Sequence, residues 1–154
     1  MFRGSTHGFT KDAFTSHILE PPLGPLVVLL KSESGRLMTG HTGVSISRTK
    51  PGRWIRSPHA RLLSVTDQTC HDVYSNNCHV AVRHSTEKFI LQFGIEDLCI
   101  AEHCNENYKS CSRLGMVYRG PYPFKFGDKE CETYLAGSFQ FKIEDIEIFE
   151  VVYE

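Results

Sequence analysis

The sequence predicts a mainly β chain: a two-sheet antiparallel β-sandwich with a short N-terminal helix and few flanking helices. Three observations predict it. Short apolar runs rich in β-branched and aromatic residues recur along the 154 residues, separated by glycine-containing turns. Residues 139–153 alternate apolar and acidic side chains at the period of a strand. Only residues 9–18 read as a convincing helix. Short strands at this spacing bury one face each by stacking as two layers.

The elements follow in order. In residues 9–18 the Thr10 hydroxyl is placed to accept an orphan backbone N–H, with Phe9 and Phe14 as a hydrophobic staple. Pro21 and Pro22 end this helix, since proline lacks the N–H donor and clashes with the preceding turn. Residues 26–30 form a continuous apolar run that reads as a buried strand, and Ser34-Gly35 reads as a tight turn. Residues 36–46 read as a second strand, interrupted by glycines that signal bulges or close backbone approach. A loop over 50–58 holds Trp54, the only tryptophan. Further strands are expected at 61–66, 79–83 and 88–93, the last with Phe89, Leu91 and Phe93 on one face. Residues 93–118 read as two strands joined by a structured loop, the second strand being the apolar run 114–118. In the last stretch Phe139, Phe141 and Ile143 share a face, and Glu144, Asp145, Glu147 and Glu150 interrupt the apolar run around Ile146, Ile148 and Phe149.

The length corresponds to a single domain over 1–154, enough to bury about 70% of the surface of the unfolded chain without metal or disulfides. A net charge of −1, from 17 basic and 18 acidic residues, argues against nucleic-acid binding. The basic residues gathered in 48–61 read as a solvated loop. No apolar run reaches the 18 or so residues needed to cross a bilayer, so no membrane insertion is expected. The N-terminus has no apolar signal segment, which predicts a cytoplasmic or otherwise intracellular protein. All six cysteines fall between residues 70 and 131, and free thiols in a reducing compartment are expected.

Most of the candidate chemistry lies in residues 96–112. Glu96, Asp97, Asn105, Asn107, Ser110 and Ser112 are candidate partner-binding residues, because loops fixed on a rigid sandwich commonly carry binding. Asp97 is also placed to accept backbone N–H groups and pin the loop that follows, and the Asn and Ser side chains are suited to satisfying turn backbones. Cys104 and Cys111 flank the polar loop and are expected to be exposed. Lys109 and Arg113 stand near them as cations able to lower a thiol pKa, which makes the two candidate redox thiols. Cys99 alternates with Leu98 and Ile100 and is expected to be buried.

Other sites are weaker. Cys70-His71, Cys78-His79 and His103-Cys104 carry zinc-type ligands, but none forms the tight turn with ligands two to four residues apart that structural zinc sites use. Adjacent residues also point to opposite faces of a strand, so no metal or other cofactor is assigned. No strand–turn–helix elbow surrounds any cysteine or histidine, so no catalytic nucleophile is assigned. The acidic residues of 144–150 read as a solvated sheet face rather than as an acid–base pair.

Ordered motifs across the chain resemble the TLDc domain family. They open with Arg3-Gly4-Ser5, Gly8-Phe9 and Phe14, and continue through Gly24-Pro25, Lys31-Ser32, Gly35 and Gly40-His41-Thr42. The most specific set is Phe93-Gly94, Asp97-Leu98, Ile100, Cys104-Asn105, Asn107, Ser110, Ser112, Leu114-Gly115 and Tyr118. Tyr134-Leu135-Ala136-Gly137-Ser138, Phe141 and residues 143–149 close it. Departures fall in the N-terminal half: His7, Thr15, Met38-Thr39 and Ile46 stand where the family favours an acid, a His, Phe-Gly and a Trp. The resemblance implies a β-sandwich flanked by a few helices. It also implies protection against oxidative stress and binding to the vacuolar proton-pumping ATPase, and it brings no catalytic residues. The expected function is therefore that of a non-enzymatic interaction domain. The alternatives are a structural subunit or scaffold of a larger assembly, such as a cytoskeletal one, and a thiol-based oxidant-protective protein.

Overall fold

The computed structural model describes residues 1–153 and contains two antiparallel sheets. The first runs β1 (Phe2–Arg3), β11 (Ile143–Glu150), β2 (Leu26–Ser32), β3 (Leu37–His41), β4 (Arg61–Ser64) and β5 (Thr69–Asp72) from edge to edge. The second runs β10 (Gln140–Phe141), β9 (Ser110–Cys111), β8 (Leu98–Ala101), β7 (Phe89–Phe93) and β6 (Val82–His84). Short helices flank them: α1 (Gly4–His7), α2 (Lys11–Phe14) running into a wider π-helical turn (Thr15–Leu19), a 3-10 turn (Ser75–Val80) and α3 (Lys129–Thr133).

Burial in β2 follows the strand period, with Leu26, Val28, Leu30 and Ser32 turned inward. The tightest meeting of the layers is at Gly40 of β3, where an added Cβ would lie 2.5 Å from Phe93 Cζ of β7. A glycine interrupts the apolar pattern there because the opposing phenyl ring fills the space. Phe93 also meets Tyr118 edge-on at 6.4 Å, and the Tyr118 hydroxyl donates to the Ala81 carbonyl at 2.8 Å. The N-terminal segment is tied to the last long strand. Arg3 pairs with Glu147, and Ser5 donates to Asp145 through its N–H (3.0 Å) and its hydroxyl (2.8 Å).

The helix starts as expected, with Thr10 Oγ1 accepting from the Ala13 N–H at 3.1 Å, and Phe14 fully buried. Elsewhere the elements depart from the sequence pattern. The strand expected over 36–46 ends at His41, because Gly43, at φ +73°, turns the chain under the backbone of Ala60. The strand expected at 79–83 begins only at Val82, since the residues before it coil as the 3-10 turn. Residues 114–118 form no return strand; Ser110–Cys111 does instead. Phe141 and Ile143 are both buried but belong to different sheets, so the chain passes between layers at Lys142, whose carbonyl accepts from the Glu33 N–H at 3.0 Å.

Candidate functional site

Asp97 organises the region that holds most of the predicted chemistry. It follows β7 across a tight turn in which Gly94 takes φ +67°. Its side chain is fully buried, and its carboxylate accepts the backbone N–H groups of Val117 (3.2 Å to each oxygen) and Tyr118 (3.0 Å). Burial raises its pKa from 3.8 to about 7, against the opposing pull of these backbone donors. The role as a backbone acceptor holds, but the segment pinned is 117–118 rather than the Asn-rich loop. The same segment bridges to the end of β5 instead of returning along β8, with the Tyr74 N–H donating to the Val117 carbonyl at 2.8 Å and the Arg119 N–H to the Asp72 carbonyl at 2.9 Å.

Burial corrects the list of partner-binding candidates. Asp97, Ser110 and Ser112 are each fully buried and cannot touch a partner. Ser112 Oγ donates to the Asp97 carbonyl at 2.8 Å, and Ser110 Oγ accepts from the Ala101 N–H at 3.0 Å, so both brace the backbone. Asn107 is half-buried and spends its side chain on the loop, donating to the Glu102 carbonyl and accepting from the Lys109 N–H, both at 3.0 Å. Asn105 is exposed, and Glu96 is half-exposed beside Arg113 at 3.4 Å.

The expected exposure of Cys104 and Cys111 is also corrected. Cys104 is fully buried within the core cluster, where its backbone carbonyl accepts from the Ile143 N–H at 2.9 Å. Burial pushes its thiol up to about 12, which leaves no thiolate at neutral pH. Cys111 is 8% exposed and lies in β9. Cys70 is exposed, but its pKa is raised by partial burial and by the Asp72 carboxylate. Cys99 is fully buried, as expected for its strand.

The register of the five-stranded sheet puts Cys99 and Cys111 in an unforeseen row. Arg83, Gln92, Cys99, Cys111 and Gln140 are successive partners across β6, β7, β8, β9 and β10 and so share one face. The neighbouring rung of Val82, Phe93 and Leu98 belongs to the core, which assigns the polar row to the outer face. Arg83 Nε donates to Gln92 Oε1 at 2.8 Å, and Gln92 Nε2 to the Ile95 carbonyl at 2.7 Å. An open surface groove passes over this row, lined by Lys88, Phe89, Glu96, Cys99 and Cys111 among others.

The histidines are structural where they are buried. His71 uses Nδ1 on the Arg119 carbonyl (2.8 Å) and Nε2 on the Thr69 hydroxyl (2.9 Å), and burial lowers its pKa. Among the described residues no three His, Cys, Asp or Glu side chains converge as metal ligands do. A small apolar cavity between Phe2, Phe14, Ile90 and Ile148 measures about 10 Å³, about the space of one water.

Residues 121–128 carry a feature the sequence reading passed over. Tyr122, Phe124 and Phe126 are 97%, 40% and 39% exposed. Their loop is nevertheless braced: the Phe124 N–H donates to the Pro121 carbonyl at 2.8 Å, and the Lys125 N–H to Asp128 Oδ2 at 2.9 Å. Backbone of Phe126 lies against Gly115, where an added Cβ would be 3.0 Å from the Phe126 nitrogen. The available signal was three aromatic residues alternating with Pro and Lys, outside any strand pattern.

Comparison with known proteins gives one result for the whole chain: the model of the TLDc domain family matches residues 1–152. No curated protein matches it.

Proposed function

The chain belongs to the TLDc domain family, and from that premise we propose a non-enzymatic interaction domain that docks on the cytosolic part of a vacuolar-type proton-pumping ATPase. Family membership points to protein–protein interaction, and the pump is the partner class that the resemblance implies. The observation that carries the reading is the exposed trio Tyr122, Phe124 and Phe126 on a braced loop. Aromatic side chains standing in water on a rigid support resemble the anchors that dominate interface energies. One further feature supports a non-catalytic role: Asp97, the strongly perturbed carboxyl among the described residues, is committed to backbone donors. A cytoplasmic location follows from this partner. The resemblance also implies protection against oxidative stress; Cys104, buried and with its pKa near 12, is unsuited to it.

The test is equilibrium binding of the purified chain to the purified cytosolic sector of the pump. A stoichiometric complex is expected. Tyr122→Ala with Phe124→Ala should weaken it by roughly 30-fold or more, corresponding to about 2 kcal/mol at hot-spot anchors. The same double variant should keep the wild-type circular dichroism spectrum, since both rings are exposed. A chain that does not bind the sector overturns the partner. Unchanged affinity in the variant overturns the surface, and it is the absence of binding by the wild type that leaves the structural-subunit alternative in place.

A further inference from the structure

We propose that Cys99 and Cys111 form a redox-active dithiol that closes to an intrachain disulfide across β8 and β9 when it meets a hydroperoxide. The two residues are direct partners in antiparallel register. Such partners hold their Cα atoms about 4.5–5.5 Å apart, within the range of about 4.4–6.8 Å that a disulfide spans. Closure therefore needs side-chain rotation and no change of register. Both residues border the same surface groove, and a small oxidant reaches Cys111, the partly exposed one of the two, from solvent.

Their environments divide the labour. Cys111 is the more accessible at 8% exposure, while Cys99 lies beneath it, fully buried. The neighbouring Cys99 thiol lowers the Cys111 pKa, and Arg113 and Lys88 add to this; burial and the Glu96 carboxylate oppose it. Cys99 is displaced the other way, by the neighbouring Cys111 and by burial, with Asp97 and Glu96 adding to the shift. It keeps its proton and is within 3.6 Å of the Ile95 carbonyl. Cys111 is thus the attacking thiolate and Cys99 the resolving thiol.

The Cys111 sulfur attacks one peroxide oxygen, the O–O bond breaks, and the alcohol leaves with a proton, giving a sulfenic acid on Cys111. The Cys99 sulfur then attacks the Cys111 sulfur. The S–O bond breaks, and hydroxide leaves as water with the Cys99 proton. Two thiols lose two electrons and two protons in all, and the hydroperoxide, reduced by two electrons, becomes alcohol and water. This pair stands apart from the docking reading, which needs neither sulfur; of the two candidate redox thiols it keeps Cys111 and leaves out Cys104.

The test uses the wild-type chain and stoichiometric hydrogen peroxide, followed by alkylation and peptide mapping without reduction. The expected result is the loss of two of the six alkylatable thiols, a linked peptide joining Cys99 to Cys111, and full recovery with dithiothreitol. In Cys99→Ser the linked peptide should vanish and Cys111 should become trappable by dimedone as a sulfenic acid. The proposal is overturned if all six thiols stay alkylatable. It is equally overturned if the linkage joins other cysteines, or if Cys111 passes to the sulfinic acid while Cys99 stays reduced.

Discussion

Gly94→Ala is expected to lower the thermal unfolding midpoint by roughly 10–20 °C, the largest effect of any single methyl group near the turn. Gly94 stands at φ +67°, a left-handed conformation that costs a non-glycine residue about 1–2 kcal/mol. The added Cβ would also press into the Asp97 carboxylate, with Asp97 Cγ at 2.9 Å and Val117 Cβ at 3.0 Å. Asp97 has to swing away, and the buried N–H groups of Val117 and Tyr118 lose their acceptor at about 1–3 kcal/mol each. The sum is about 3–8 kcal/mol, and the middle of that range, at about 2–4 °C per kcal/mol for a chain of this size, gives the stated shift. Gly35→Ala is the control. Gly35 has φ +87° but nothing within 4 Å of its added Cβ, so it should show the conformational cost alone. Equal melting shifts for the two variants would remove Asp97 from the explanation.

Asp97→Asn is expected to flatten the dependence of stability on pH between about 4 and 7. The folded-state pKa of Asp97 is raised from 3.8 to about 7, so the native state binds this proton more tightly than the unfolded chain does. The stabilisation is fully present below 3.8 and is lost as pH rises through 7. A displacement of this size corresponds to on the order of 4 kcal/mol. The buried histidines His71 and His84, with lowered pKa values, act in the opposite sense: they favour the native state as pH rises to about 6.5. The reading is therefore the difference between wild type and variant in urea unfolding from pH 4 to 8. That difference should shift steadily against the wild type as pH rises. Parallel profiles would mean that Asp97 does not titrate in this window.

How far the molecule could be read from its sequence depended on whether a residue's surroundings are local. The long strands were legible because residues 26–30 are an unbroken apolar run and residues 143–150 alternate apolar with acidic side chains, and the helix start because Thr10 caps it within three residues. β5 was not, since Thr69–Asp72 is a polar edge strand with no apolar alternation to mark it. Asp97 was recognisable as a backbone acceptor, but its donors lie 20 and 21 residues away, and no local spacing names them. Cys104 and Cys111 were misjudged for a related reason. A polar loop sequence suggests exposure, whereas the core takes up Cys104 and a two-residue strand pairs Cys111 with Cys99. The loop of Tyr122, Phe124 and Phe126 went unseen because aromatic residues outside a strand pattern are read as core unless burial is known.

The central claim is that this sandwich binds its partner through a presented loop, residues 121–128. Amide hydrogen exchange of the full chain, with and without the purified cytosolic sector of the proton pump, tests it most directly. Slowed exchange concentrated in residues 121–128 is the predicted result. Unchanged exchange throughout the chain, or protection confined to the β5 edge of the six-stranded sheet, would contradict it.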